Sequence, residues 1–383
     1  MHVVHVNYAY APGTAVQDVV QAHRTLHRLA AAQASISDVA STVLQRFSAD
    51  ARFEVDGVRY VLFRARTRTA TASIWSLHTR LHREASRIAP DILHVHGLLF
   101  PVQVMLLRRA TGGSVPVVVQ HHGGMPHRGW HGGLQRLLAR CADGFLFNGA
   151  GNAQPWLQAG VIGAASRVFE LPEASSDFTP GERGAARRAL GLGDEPLVLW
   201  VARLNEGKDP LTALGGFEVA ARAIPHARLV MIYRESPLRA QVDAWIARRP
   251  ALAQRVLLLG PVDHERLAAW FRSADAFIAA SRQEGSNYAL IESQACGTPA
   301  VCTDIAPHRF IAGASGQTRF FPIGDTMACG EALVDLLRRP DAAARSTIRQ
   351  DFERRLSWAA TAAQSLRNYN QVMAQSPMSH HGG

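Results

Sequence analysis

Only four cysteines occur in 383 residues, Cys141, Cys296, Cys302 and Cys329, and no two share a pairing distance. That excludes a disulfide framework and a Cys/His zinc module, and fits structural thiols in a reducing compartment. No apolar run is long enough to span a bilayer as a helix. The first residues, Met1 to Asn7, form a strand pattern without the basic and apolar regions of a secretory signal. A cytoplasmic location is therefore expected. Sequence repeats, low-complexity tracts, aromatic RNA signatures and a helix-turn-helix are also missing, so nucleic acid is not an expected partner. Lysine is almost absent. Lys208 is the only one, and every other member of the 41 Lys+Arg residues is arginine.

What is present is a large positive balance, +10 with a pI near 10.3, on an ordinary globular composition of 47% hydrophobic and 19% charged residues. The length allows two domains with separate cores. Much of the arginine is dispersed. One concentration, Arg64, Arg66 and Arg68 followed by Arg80, Arg83 and Arg87, flanks an apolar helical stripe of Ile74, Leu77, Leu81 and Ile88. A surface helix packed on its own sheet explains the stripe. Peripheral contact with an anionic membrane is the sharper alternative.

Strand and helix patterns alternate through both halves. Strands are predicted at 3–7, 58–63, 92–96, 115–120, 144–148 and 168–171, then at 197–202, 229–233, 256–259, 276–280 and 300–303. Helices are predicted between them, at 15–32, 73–88, 100–109, 133–141, 153–158, 211–223, 238–247, 264–273, 288–295 and 327–338. The stretch 35–54 yields no assignment. The fold class is α/β, with two Rossmann-like doubly wound domains facing a cleft. Residues 1–172 form the first domain, 173–357 the second, 358–376 a final helical segment, and 377–383 a frayed tail. The turn-rich run from Pro172 to Pro180 is the expected linker.

The segment from Arg282 to Pro299 is the most informative. A buried strand precedes it and another follows. Gly285, Ser286 and Asn287 supply a loop and a helix N-cap, and the helix stops at Gly297. Glu284 and Glu292 thus stand at the carboxyl end of a strand, where open α/β sheets bind ligands. If all eight steps between them were helical they would lie roughly 12 Å apart. Glycosidase pairs need about 5 to 9.5 Å, so a hydrolytic couple fits poorly. Two carboxylates holding hydroxyls at separate ends of one long ligand fit better, with an anion on the free amides of Ser286 to Tyr288. The plain alternative is a capped polar loop with Glu292 solvated. A second segment favours the ligand. Lys208 follows a core strand in a glycine-containing loop with Arg203, and a compact ammonium suits a close contact to phosphate.

Arg203 and Lys208, then Glu284 and Glu292 in an E-x7-E spacing with Gly297-Thr298-Pro299, resemble the retaining GT-B-fold glycosyltransferases of family four. The similarity covers most of the chain and is stronger in the carboxyl half. It implies that Arg203 and Lys208 bind the donor diphosphate, Glu284 the transferred sugar and Glu292 the ribose. Gly285, Ser286, Asn287 and Tyr288 would receive phosphate and sugar on their backbone. Val262, after the strand at 256–259, would meet the base through backbone groups. The family's first-domain glycine loop corresponds to Gly13, which stands alone where two adjacent glycines are usual. A strand-end histidine against the sugar corresponds to His122, with His121 the second choice. A metal site from His121, His122, His127 and His131 is conceivable on residue type alone, but no metal or cofactor is expected. Trp130 either stacks on an acceptor sugar or packs under its loop. Of His94 and His96, one is expected to be buried and the other to line the ligand side. The final helix would cross back onto the first domain.

The implied activity is retaining transfer of a sugar from a nucleoside-diphosphate sugar to a hydroxyl acceptor, such as a lipid-linked glycan at the inner face of a membrane. His122, Glu284, Arg203 and Lys208 would form the catalytic group, and closure about the linker would exclude water. A sugar-nucleotide epimerase of the same fold and a non-catalytic nucleotide-sugar-binding protein remain as alternatives.

Overall fold

Runs such as Val3-Val4-His5-Val6 and Leu197-Val198-Leu199-Trp200 are buried on both faces, because helices cover both sides of two mostly parallel sheets. The computed structural model describes residues 1–10, 12–65, 76–338 and 343–374. Arg66, Arg68, Ile74 and the tail 377–383 lie outside them. The chain divides into one unit of residues 1–173 with the stretch from Trp358 onward, and another of Ala174–Ser357.

The first unit holds β1 (His2–Asn7), β2 (Ala40–Phe47), β3 (Ala51–Val55), β4 (Val58–Arg64), β5 (Ile92–His96), β6 (Val117–Gln120), β7 (Gly144–Phe147) and β8 (Val168–Glu170), in the sheet order β3-β4-β2-β1-β5-β6-β7-β8. Only the β3–β4 pair is antiparallel. Its turn is Asp56-Gly57, both with positive φ (49° and 72°), the geometry that suits a two-residue hairpin. The stretch 35–54 thus contains most of two strands. On β1, Val4, Val6 and Tyr8 face one core, while Val3 faces another, formed with Ile92, Val118, Tyr369 and Val372. The helix Trp358–Met373 supplies those last two residues and packs on the helix Arg24–Ala34.

Two predicted helices differ. The span 15–32 breaks at His23 (φ −120°, ψ 43°), where the imidazole turns to Asn7 Nδ2 at 3.4 Å and Gln45 Nε2 at 3.5 Å; the main helix begins at Arg24. The helix predicted from 73 is seen as Thr79–Ile88, because His78 is left-handed with φ 46°. In that helix Leu81 is buried and Ile88 packs on the same core, whereas Leu77 is 58% exposed. Arg80 pairs with Asp50 at 3.1 Å and Arg87 with Glu84 at 2.7 Å, so part of the basic stripe is already neutralised.

The second unit holds β9 (Leu197–Val201), β10 (Arg228–Ile232), β11 (Val256–Gly260), β12 (Ala276–Ala279), β13 (Ala300–Thr303) and β14 (Thr318–Phe321), ordered β11-β10-β9-β12-β13-β14 and all parallel. β14 and the helices Arg183–Leu190, Pro250–Ala253, Ala306–Ala312 and Ala344–Arg355 were not anticipated. The order reverses between β9 and β12, and the crevice beyond the carboxyl ends at such a point is where these sheets take ligands.

Candidate functional site

Two loops leave β9 and β12 side by side at that point of reversal. The first runs from Arg203 to Asp209. Its turn is closed by Asn205, whose Oδ1 accepts from the Lys208 amide at 3.0 Å. Asp209 then takes a left-handed conformation and caps the helix Pro210–Ala223, accepting from Thr212 N at 3.2 Å. The second loop is pinned to the first twice. The Arg282 amide donates to Gly207 O at 2.9 Å, and its guanidinium pairs with Asp209 at 2.8 Å. These ties hold Lys208 against Glu284: the ammonium donates to Glu284 Oε1, which also accepts from Ser281 Oγ at 2.7 Å. The pair is largely enclosed, with side-chain exposures of 18% and 6%.

Beyond Glu284 the chain enters the helix Tyr288–Ala295. Asn287 is its N-cap, its Oδ1 accepting from Leu290 N at 3.2 Å. Its amide nitrogen donates to His308 Nε2 at 3.0 Å, and His308 Nδ1 donates to Thr303 O at 2.9 Å. That pattern fixes one neutral tautomer. Burial above all, and then Lys208, push the His308 imidazole down to about 4. Thr303 in turn donates to Ser281 O at 2.6 Å, so the cap and the Glu284 loop belong to one buried network. Ser286 Oγ is enclosed without a hydrogen-bond partner among the described residues. An ammonium, an unpaired hydroxyl and a helix N-terminus form a donor set that fits an anion. Glu292 lies on the same helix with His264 Nδ1 at 3.6 Å. Arg203 is half exposed, 3.5 Å from Glu235, while Tyr288 is exposed and Val262 packs on the core after Gly260.

His308 supports a stability prediction. His308→Leu leaves the Asn287 amide nitrogen without its partner in a dry site, while Thr303 O keeps the Ile305 amide; the unmade bond costs about 1–3 kcal/mol. Urea unfolding should show a lower midpoint with an unchanged slope. An unchanged midpoint would show that His308 does not hold the cap.

In the first unit, the strand-end histidines separate. His121 stacks on Phe147 at 5.1 Å and abuts Trp156. His122 instead lines a cavity of about 330 Å³ with Asn7, His23, His96 and Glu173. Its Nδ1 lies 3.2 Å from Glu173 Oε1, and its Nε2 lies 2.8 Å from His96 Nδ1. Of His94 and His96, only His96 lines this cavity, as expected, but the two do not alternate faces. Residues two apart on a strand share a face, and the rings stack at 4.3 Å, both buried. Gly13 sits in an exposed turn with φ 92° and no atom near a would-be Cβ, so only backbone conformation demands glycine there. Trp130 is 60% exposed and lies against His131, not under its loop. Histidines 121, 122, 127 and 131 do not converge: His121 packs against Phe147, and His127 faces His131.

Residues 195–339 match the family model described as glycosyl transferases group 1, and residues 22–158 that of glycosyltransferase family 4. The chain belongs to the family-four glycosyltransferases. Among curated relatives, the D-inositol 3-phosphate glycosyltransferase of Mycobacteroides abscessus is 30% identical over 204 residues, covering 51% of this chain and 44% of the relative. The chain spans about half the length of the curated relatives it matches. Among solved structures, sucrose-phosphate synthase from Thermosynechococcus elongatus superposes with a TM-score of 0.70 at 18% identity, covering 98% of this chain and 100% of that one. A trehalose-6-phosphate protein from E. coli bound with UDP-2-fluoro glucose gives 0.69 at 13%, covering 97% and 99%. These likenesses establish the GT-B fold.

Several residues that build this glycosyltransferase's site escaped the sequence. Ser281, Thr303 and His308 orient Glu284 and Asn287; Ser281 shares the loop of Glu284, whereas Thr303 and His308 come from β13 and the helix after it. Glu173, 51 residues from His122, also escaped it, whereas His96 is legible at its strand end. The only available signal was the polar side chain at each strand end, at Gln120 and Thr303 as well as His96.

Proposed function

We propose that this glycosyltransferase moves a sugar from a nucleoside-diphosphate donor to a hydroxyl acceptor with retention at the anomeric carbon, without a divalent metal at the diphosphate. The observation that carries this is the pinned pair of loops at the β9–β12 reversal, which sets Lys208, Glu284 and the Asn287-capped helix together. Lys208, Arg203 and the amides of residues 285 to 288 receive the charge that develops on the leaving diphosphate. Fixed cations and dipoles of this kind act strongly where water is excluded. Glu284 holds the transferred sugar and Glu292 the ribose. The bond from the anomeric carbon to the diphosphate oxygen breaks as the bond to the acceptor oxygen forms on the same face. The acceptor proton passes to the leaving phosphate oxygen.

The cavity beside His122 is the proposed acceptor seat. Its described lining includes the carboxylate of Glu173 and no arginine or lysine. A phosphate would find no cation there, so the part of the acceptor seated in it is neutral, a polyol or glycan hydroxyl. His122 and Asn7 supply the hydrogen-bonding groups. A lipid-linked glycan at an anionic membrane remains within this proposal, with the exposed arginines of the first unit as the contact.

The test is a panel of nucleotide sugars incubated with neutral glycans, D-inositol 3-phosphate or lipid extract, with chelator present. Acceptor-dependent release of nucleoside diphosphate and an anomer matching the donor support the proposal. A rearranged nucleotide sugar formed without acceptor would replace it with an epimerase. No turnover of any donor, alongside intact binding, would leave a binding protein.

A further inference from the structure

β1 and β5 are paired so that His5 stands opposite His94, and His96 follows two residues on. All three therefore project from the same face of the sheet. All three are fully or almost fully buried, and burial holds each imidazole well below its ordinary range, His5 at about 4. One nitrogen from each ring lies within 4.8 Å of the others. Each ring is gripped from outside through its remaining nitrogen. His5 Nε2 donates to Gln33 Oε1 at 2.8 Å, His94 Nδ1 lies 2.6 Å from the Tyr369 hydroxyl, and His96 Nδ1 lies 2.8 Å from His122 Nε2. His94 Nε2, aimed at the shared point, has no hydrogen-bond partner among the described residues. The Gln120 amide acts on that ring, but neither Gln120 Oε1 nor His94 Nε2 completes a bond.

We propose that His5, His94 and His96 form a buried tri-histidine site for a divalent transition metal of the zinc and cobalt class. Neutral imidazoles, each oriented by an outer hydrogen bond, are the donor set such ions take. Binding requires the near-parallel rings of His94 and His96, 19° apart, to tilt toward one point at the usual metal–nitrogen distance of about 2.0–2.1 Å.

Proton counting is consistent with the site. Gln33 must donate through its nitrogen, because Ser365 Oγ already gives its proton to Ala362 O and can only accept from Gln33 Nε2. His5 therefore keeps its proton on Nε2 and accepts at Nδ1, 3.0 Å from His96 Nε2. His96 then donates from Nε2 and accepts at Nδ1 from His122. Unless His122 carries a second proton, its bare Nδ1 faces the Glu173 carboxylate, two acceptors together. A metal on His5 Nδ1 and His96 Nε2 removes the conflict. The His96 proton moves to Nδ1 and donates to His122, whose own Nδ1–H then donates to Glu173. The ion would be structural, locking β1 to β5 and orienting His122.

The test uses the full chain, stripped with chelator and titrated with Co2+. The proposal predicts one equivalent taken up with the strong visible bands of a four-coordinate site of three imidazoles and one water, displaced by Zn2+. His94→Gln should abolish the bands while near-ultraviolet dichroism is kept, and Tyr369→Phe should weaken binding about 10- to 100-fold. His131→Ala and the paired His380→Ala and His381→Ala changes should leave the bands intact. The proposal is overturned if the wild-type chain shows no such bands, or if they survive His94→Gln in a folded protein. Loss on changing His131, His380 or His381 would also overturn it. Should His94→Gln fail to fold, the wild-type titration and Tyr369→Phe decide.

Discussion

Replacing Lys208 with alanine is expected to lower kcat by about 10²–10³-fold, the loss typical of removing one fixed charge-stabilising donor from an enclosed site. The residue is the only lysine in the chain, and one backbone hydrogen bond and one ion pair hold its loop against the loop of Glu284. Lys208→Arg should also stay well below wild type. A planar fork cannot take the place of a compact ammonium already gripped by Glu284, whose other contact is Ser281. Stability separates from turnover in a second comparison. Lys208→Ala leaves a carboxylate that is 6% exposed without its cation, at a cost of up to about 3 kcal/mol. Adding Glu284→Gln should restore most of the unfolding midpoint and none of the turnover. Recovery of turnover in the double variant would mean that Lys208 serves the fold alone.

Exchange of the two glutamates should divide binding from chemistry. Glu292→Ala is expected to weaken nucleoside diphosphate binding about 10- to 100-fold, the value of a hydrogen bond to a charged group. Glu284→Gln should leave that affinity intact or raise it, because the ammonium it now holds becomes free for phosphate. Its turnover should fall. Calorimetry with the bare diphosphate measures both. Equal loss of affinity in the two variants would show that Glu284 and Glu292 do not serve opposite ends of the donor.

The parts of the site that share one continuous segment were legible in the sequence. The strand at 276–280, the Asn287 cap, the helix from Tyr288 to Ala295 and the Gly297 stop are local signals, and each is present. Pairings across the sheet were not legible. Lys208 meets Glu284 from 76 residues away, and Asn287 meets His308 from 21, through a strand order that no local pattern encodes. The hairpin at 51–64 was within reach: Asp56-Gly57 between alternating Ala51–Val55 and Val58–Arg64 is a strong two-residue turn signal. The break at His23 was not, because it depends on Asn7 and Gln45 from other strands. The histidine layer was obscured by an error of parity. His5 and Asn7, His94 and His96, and Gln120 all fall on one face once the strands are set in register.

Hydrogen–deuterium exchange with and without saturating nucleoside diphosphate tests the central claim most directly, because it locates the donor on the unaltered chain. The account predicts protection concentrated in two peptides, 203–209 after β9 and 284–292 after β12, with the helix N-terminus at Asn287 among the slowed amides. Binding that leaves both peptides unchanged, with protection elsewhere, would contradict it.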